Sequence, residues 1–159
     1  MEIKTGYIYH IKDEFFDIVV DKKLMSNYEF NHYRPTYFAI TDGDILWFIP
    51  LSSKIKKYQT IIEGKIKKYG ICKSILIRKI AGKESVILIQ NAFPTLKKYI
   101  DHVHTIDCNP IRVIDSIKDE ILDDFKYLMS LKKEGVNLFF ADIDRIKDIM
   151  IKELGENNK

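Results

Sequence analysis

Cysteine is scarce in this chain. The 159 residues hold two, Cys72 and Cys108, far apart and without metal-ligand spacing. That excludes a disulfide framework and a thiolate metal site, and predicts reduced thiols in a cytoplasmic protein. Long apolar runs are missing as well; none approaches the roughly 20 residues of a membrane span. Residues 1–12 lack the apolar core of a signal peptide, so export is not expected. The sequence contains no HExxH, CxxC, GxSxG, P-loop or GxGxxG pattern. No carboxylate cluster suggests a two-metal centre, so chemistry without metal or cofactor is expected. Acidic residues almost vanish from residues 52–98, which carry 12 lysines and arginines against 2 acidic residues.

What remains is substantial. Hydrophobic residues make up 46% of the chain, enough for a real core and too many for a disordered tail. Residues 1–159 read as a single domain. The net charge of +3 conceals a basic first two-thirds and an acidic last third. A concentrated positive field points to a phosphate-rich partner, although a lysine-rich solvated surface has the same composition.

Periodicity and turn residues predict the elements. Gly6 to Ile11 reads as a first strand. Asp13 to Met25 reads as a helix, capped by Asp13, with Phe16, Val19, Val20 and Leu24 on one face. A polar loop, Ser26 to Tyr33, leads to a strand over Thr36 to Thr41. Asp42-Gly43 is a hairpin signal, and Ile45 to Leu51 reads as a buried strand closed by Pro50. Ser53 to Tyr69 reads as a helix whose core face is Ile55, Tyr58, Ile62, Ile66 and Tyr69, ended by Gly70. Strands at Lys73 to Ile80 and Ser85 to Gln90 flank a turn at residues 81–83, and Asn91 to Pro94 punctuates their end. Lys97 to Ile106 reads as a short helix and then a strand around Val103. Asn109-Pro110 resembles a helix start, with an apolar stripe from Ile114 to Met129 and a stop at Gly135. A last helix runs from Asp142 to Leu154, followed by a polar tail, Gly155 to Lys159. The expected class is α+β: a small antiparallel, barrel-like sheet surrounded by helices, with a C-terminal helical pair.

Three constellations can carry chemistry. Ser52-Ser53-Lys54 ends the buried strand. A serine there can cap the following helix, and a helix N-terminus also offers N–H groups to a phosphate. His32-Tyr33-Arg34-Pro35 holds a guanidinium suited to two-pronged phosphate contacts, or an ordinary surface arginine. Tyr7 and Tyr9 share one face of the first strand; one can belong to the core and an exposed one can stack a base. His10, His102 and His104 read as structural or solvated.

With Tyr7-Ile8-Tyr9, Arg34-Pro35-Thr36-Tyr37, Trp47 to Lys54, Ile89 to Pro94 and the C-terminal helical pair laid out in order, the chain resembles the ToxN/AbiQ family of type III toxin–antitoxin endoribonucleases, most closely its CptN branch. The resemblance implies a highly twisted antiparallel sheet wrapped by helices. It implies a metal-independent RNase that cuts its own repeat antitoxin RNA and stays bound to the product. Phage defence and a closed assembly with small pseudoknot RNAs are implied too, with two-plus-two and three-plus-three rings both open. Ser52 and Ser53 match the family's Thr/Ser pair. The family's lysine would fall at Ile55, so Lys54 is assigned, with Lys56 as the alternative. Arg34 matches a basic position and Tyr9 the N-terminal tyrosine.

RNA carries its own nucleophile, the 2′-OH, so a protein need only align it, move its proton and stabilise charge on phosphorus. The expected catalytic set is Ser52, Ser53, Lys54 and Arg34, leaving a 2′,3′-cyclic phosphate. The base is left open between His32 and a lysine lowered by basic neighbours. Tyr9, His32, Tyr33, Lys56, Lys57, Lys65, Lys67 and Lys68 are expected to bind RNA. The competing readings are a non-catalytic RNA-binding module and a structural or protein-interaction domain.

Overall fold

The computed structural model describes residues 2–157. In chain order its elements are β1 (Ile8–Ile11), α1 (Asp13–Val19), β2 (Tyr28–Glu29), β3 (His32–Tyr33), β4 (Thr36–Asp42), β5 (Ile45–Ser52) and α2 (Ile55–Tyr69). They continue as β6 (Leu76–Ile80), β7 (Lys83–Ile87), β8 (Phe93–Thr95), β9 (Ile100–Val103), β10 (Thr105–Ile106), β11 (Asn109–Pro110), α3 (Asp115–Lys133) and α4 (Ile143–Asn157). Seven strands form one antiparallel sheet in the order β6-β7-β5-β4-β1-β9, with β8 also pairing with β5. The class is α+β. The sheet is open rather than barrel-like: among the described residues β6 and β9 end it without pairing. No helix is long and apolar enough to cross a membrane.

β5 is the hub because every one of its residues is buried. Successive side chains point to opposite faces, so an uninterrupted apolar strand must be covered on both. On one face Trp47 meets Phe125 of α3, ring centroids 5.6 Å apart. On the other, Phe48 stacks on Phe38 at 5.1 Å and lies 6.3 Å from Phe93. Phe93 in turn stacks on Phe15 of α1 at 5.1 Å. Burying each such ring contributes about 1.5–3 kcal/mol. A smaller apolar cluster of Tyr58, Ile75, Val86 and Leu88 seats α2 on the β6–β7 end of the sheet.

Several expectations change. Pro50 does not close its strand; it pairs with Thr36 inside β5. β5 pairs with β8 at Leu46 to Phe48 and with β7 at Leu51 and Ser52. The missing proline N–H falls at the changeover between these partners, where no ladder bond is lost. The segment Asn91 to Pro94 does more than punctuate a hairpin, since Phe93–Thr95 is β8. α1 stops at Val19, because Val20 turns left-handed at φ 45° and points outward, 70% exposed. Asn27, buried, then draws the chain back by donating to the Ile11 carbonyl at 2.7 Å. Asp13 sits in the first turn of α1, with Lys12 at the cap. Residues 26–33 are not a plain loop, since β2 and β3 pair as a short hairpin. On the core face expected of α2, Ile66 and Tyr69 are exposed. Asn109-Pro110 belongs to the β10–β11 hairpin, whose turn residues Asp107 and Cys108 both take positive φ, and α3 begins only at Asp115. The expected polar tail continues α4 as far as residue 157; residues 158 and 159 lie outside the described residues.

Candidate active site

The end of β5 meets the β2–β3 hairpin. Each hairpin strand has only two residues, and Phe30 and Asn31 at its turn both take positive φ, 52° and 65°. The hairpin carries Glu29 onto the two serines. Glu29 Oε2 accepts from Ser52 Oγ at 2.8 Å and from Arg34 Nη1 at 2.8 Å. Oε1 accepts from the Ser53 backbone N–H at 2.8 Å and also from the Ser53 hydroxyl. Four donors thus converge on one carboxylate at the entry to α2, a setting that favours negative charge.

Burial pulls the Glu29 carboxyl upward, but the Ser53 hydroxyl and N–H, the Ser52 hydroxyl and Arg34 outweigh it and hold it at about 2. The folded value lies below the ordinary 4.5. The contribution to stability is therefore complete above that pH and is lost as pH falls toward 2. Urea midpoints of the wild type and Glu29→Gln should differ most at pH 6 and draw together as the pH falls from 4.5 toward 2. A gap independent of pH would mean that the carboxylate is not held by these donors.

Arg34 is not an open phosphate ligand. It is 6% exposed and donates to the carbonyls of Ser26 (2.7 Å), Leu51 (2.9 Å) and Tyr28 (3.4 Å) besides Glu29. Four of its five N–H bonds are committed, three of them to backbone carbonyls, so a phosphate reaches it only by displacing Glu29. Tyr9 is also corrected: at 2% exposure it lies edge-on to Phe38 and Phe48, and its hydroxyl accepts from the Lys4 N–H. No base can reach its face. The exposed aromatics near the serines are Phe30, Tyr28 and Tyr33, the last two stacked at 5.0 Å.

Neither serine makes a side-chain cap to α2; Lys54 occupies the cap position without such a bond. Ser52 Oγ does accept from the Lys54 N–H at 3.2 Å. The side chains of Lys54, Lys56, Lys57, Lys67 and Lys68 are exposed along α2. Lys67 and Lys68 stand roughly 20 Å from its start at 1.5 Å per residue. Lys65 is withdrawn from that row: its Nζ bonds Ser74 Oγ at 3.0 Å and Gln90 Oε1 at 3.2 Å, tying α2 to the sheet.

Ser52, Ser53 and Glu29 line a cleft of about 320 Å³, with His32 and Tyr33 of the hairpin on its rim. Lys83 and Glu84 at the start of β7 line it too, neither of them singled out by sequence pattern, and so does His104, which the sequence reads as structural or solvated. Glu29 gave no signal either, being one acidic residue in a polar stretch. A larger, more open depression of about 690 Å³ lies between the end of α1 and the start of α4. There Lys132 pairs with Asp144 and Arg145 donates to the Val19 carbonyl. Among the described residues no group of three or more His, Cys, Asp or Glu is placed to hold a metal ion.

No protein-family model and no curated protein matches the sequence. Solved structures do match. AbiQ, a lactococcal anti-phage endoribonuclease belonging to a type III toxin–antitoxin system, aligns with a TM-score of 0.74 at 13% identity, over 96% of this chain and 99% of AbiQ. This chain has its fold. A second match comes from bacterial type III toxin–antitoxin systems with selective toxin inhibition by a non-coding RNA pseudoknot. It aligns with a TM-score of 0.65 at 14% identity, over 94% of this chain and 98% of the other. The shared architecture covers nearly the whole length of this chain. Neither match bears on the CptN branch.

Proposed function

We propose that this chain is an endoribonuclease toxin of a type III toxin–antitoxin system, with residues 1–159 acting as one toxin domain in the cytoplasm. It cleaves RNA by attack of the 2′-OH on the adjacent phosphorus, leaving a 2′,3′-cyclic phosphate and a 5′-OH, without a metal or cofactor. It processes a repeat-derived pseudoknot RNA, is held inactive by that RNA in a closed assembly, and acts on cellular or phage RNA when released, in defence against phage. The shared fold supports this reading. The observation that carries it is the cradle around Glu29: two hydroxyls, a backbone N–H and a guanidinium already binding one oxyanion.

In this reading the scissile phosphate takes the carboxylate's place. One anion exchanges for another, so the buried Arg34 charge stays compensated. Ser52, Ser53 and the Ser53 N–H then donate to the non-bridging oxygens, where charge grows in the transition state. Lys54 supplies positive charge from the start of α2, and Lys56, Lys57, Lys67 and Lys68 track the flanking backbone. His32, Tyr33 and the exposed hairpin aromatics border the cleft for base contacts.

The test is cleavage by the purified protein in excess chelator. RNA fragments ending in 2′,3′-cyclic phosphate are expected. Activity abolished by chelator and restored by Mg²⁺ overturns the mechanism. RNA retained but never cut makes the chain a binding module.

A further inference from the structure

The cleft has a second wall built from histidines that the phosphate cradle does not use. β1 and β9 pair with His10 opposite His102, and their rings stack at 4.5 Å. His104, one residue beyond β9, brings its Nδ1 to 2.8 Å from His10 Nε2. His10 is buried, and among the described residues its Nδ1 is the one buried side-chain nitrogen without a hydrogen-bond partner. His104 is half-buried and lines the same cleft as Ser52 and Ser53. With Nδ1 engaged, its free nitrogen is Nε2.

We infer that His104 is the general base of RNA cleavage and that His10 is the residue that positions it. This rests on the endoribonuclease reading. His104 Nε2 takes the 2′-OH proton as that oxygen bonds to the phosphorus held by the serines. The bond from phosphorus to the 5′-oxygen breaks, the departing oxygen takes a proton from solvent, and the imidazolium later returns its proton to solvent. With His10 Nε2 as the acceptor, His104 Nδ1 carries the proton and its Nε2 is left unprotonated. A partner on the far nitrogen is what orients a catalytic histidine elsewhere.

A base must be held within reach of its proton, and preorganisation distinguishes the two histidines of the cleft. His104 is fixed by His10. His32 is exposed on a two-residue strand and makes no side-chain hydrogen bond among the described residues. The charge state is also right. Burial, and then His102, lower the His104 imidazole. Burial, then His102 and His104, bring His10 to about 4 against opposing effects of Asp101 and the Arg34 backbone. Both shifts favour the neutral imidazole. The other titratable groups around them are Tyr33 and His32 on β3, Glu29 on β2, and Lys83 and Glu84 across the cleft.

The experiment is single-turnover cleavage of a short RNA as a function of pH, beside binding of its 2′-deoxy analogue. In the wild type the rate should fall on the acid side of a pKa below the ordinary histidine value of 6.5. His104→Asn keeps a side-chain amide where Nδ1 stood but supplies no base. It should lower the rate about 10²–10⁴-fold, remove the acidic limb and bind the deoxy analogue like the wild type. His10→Phe keeps an aromatic ring, loses the acceptor and should move the limb to lower pH. A His104→Asn enzyme within threefold of the wild-type rate overturns the inference. So does an acidic limb that survives in His104→Asn but disappears in His32→Asn. If His104→Asn melts early, the same profile recorded on His104→Gln decides. A wild type that cuts no RNA at any pH fails the endoribonuclease reading instead, before any variant is made.

Discussion

Ser53→Ala is expected to lower RNA cleavage about 10²–10³-fold while leaving RNA capture intact, the scale of losing one oxyanion-hole donor, about 3 kcal/mol. The Ser53 hydroxyl is exposed and donates to Glu29 Oε1, the oxygen that also takes the Ser53 backbone N–H. Alanine keeps that N–H and deletes only the hydroxyl. Ser53 does not cap α2, so the stability cost is confined to one hydrogen bond, about 1 kcal/mol. Ground-state binding rests on the exposed lysines of α2 and is spread over many contacts. The separation is cleaner at Ser53 than at Ser52, which is buried and also accepts the Lys54 N–H. Melting temperature, RNA retention and cleavage measured on the one variant test the assignment. A folded variant cutting at the wild-type rate sinks it.

Arg34→Ala should have the larger effect on stability, a loss of about 3–5 kcal/mol, the usual result of removing one partner from a buried ion pair. The substitution strips a donor from three carbonyls, those of Ser26, Tyr28 and Leu51, and leaves Glu29 without its cation. The β2–β3 hairpin would lose its tie to β5. Arg34→Lys should recover only part of the loss, because an ammonium cannot reproduce the planar fork that reaches four acceptors. Chemical denaturation provides the check. An Arg34→Ala protein with wild-type stability and weakened RNA binding would restore Arg34 to the role of an open phosphate ligand.

These two residues illustrate what was legible in the sequence. Ser53 could be picked out because its position follows from local pattern: an apolar β run that ends where a helix period begins. Arg34 was visible as a basic residue before proline, but its task was not. Its acceptors lie on β2, in the loop before it and on β5, and the nearest of them is selected by a hairpin that polar composition disguises. Lys65 is similar. Its helical position predicts an exposed lysine, and only the seating of α2 on the sheet brings it to Ser74 and Gln90.

The sequence by itself determined the α+β class, the β4–β5 hairpin with its Asp42-Gly43 turn, helices α2 and α4 to within a few residues, the body and the end of α3, the basic stretch and the serine pair. Each is written in short-range periodicity or turn chemistry, which acts within one element. The tertiary structure decided that the sheet stays open, that Pro50 lies inside a strand, and that Tyr9 is core. It also decided which distant residues share the cleft. Glu29 is 24 positions from Ser53 in sequence and His10 is 94 from His104, yet both pairs are in hydrogen-bond contact. Such meetings follow from which strands pair and in what register, and that choice is made by burying both faces of β5 at once.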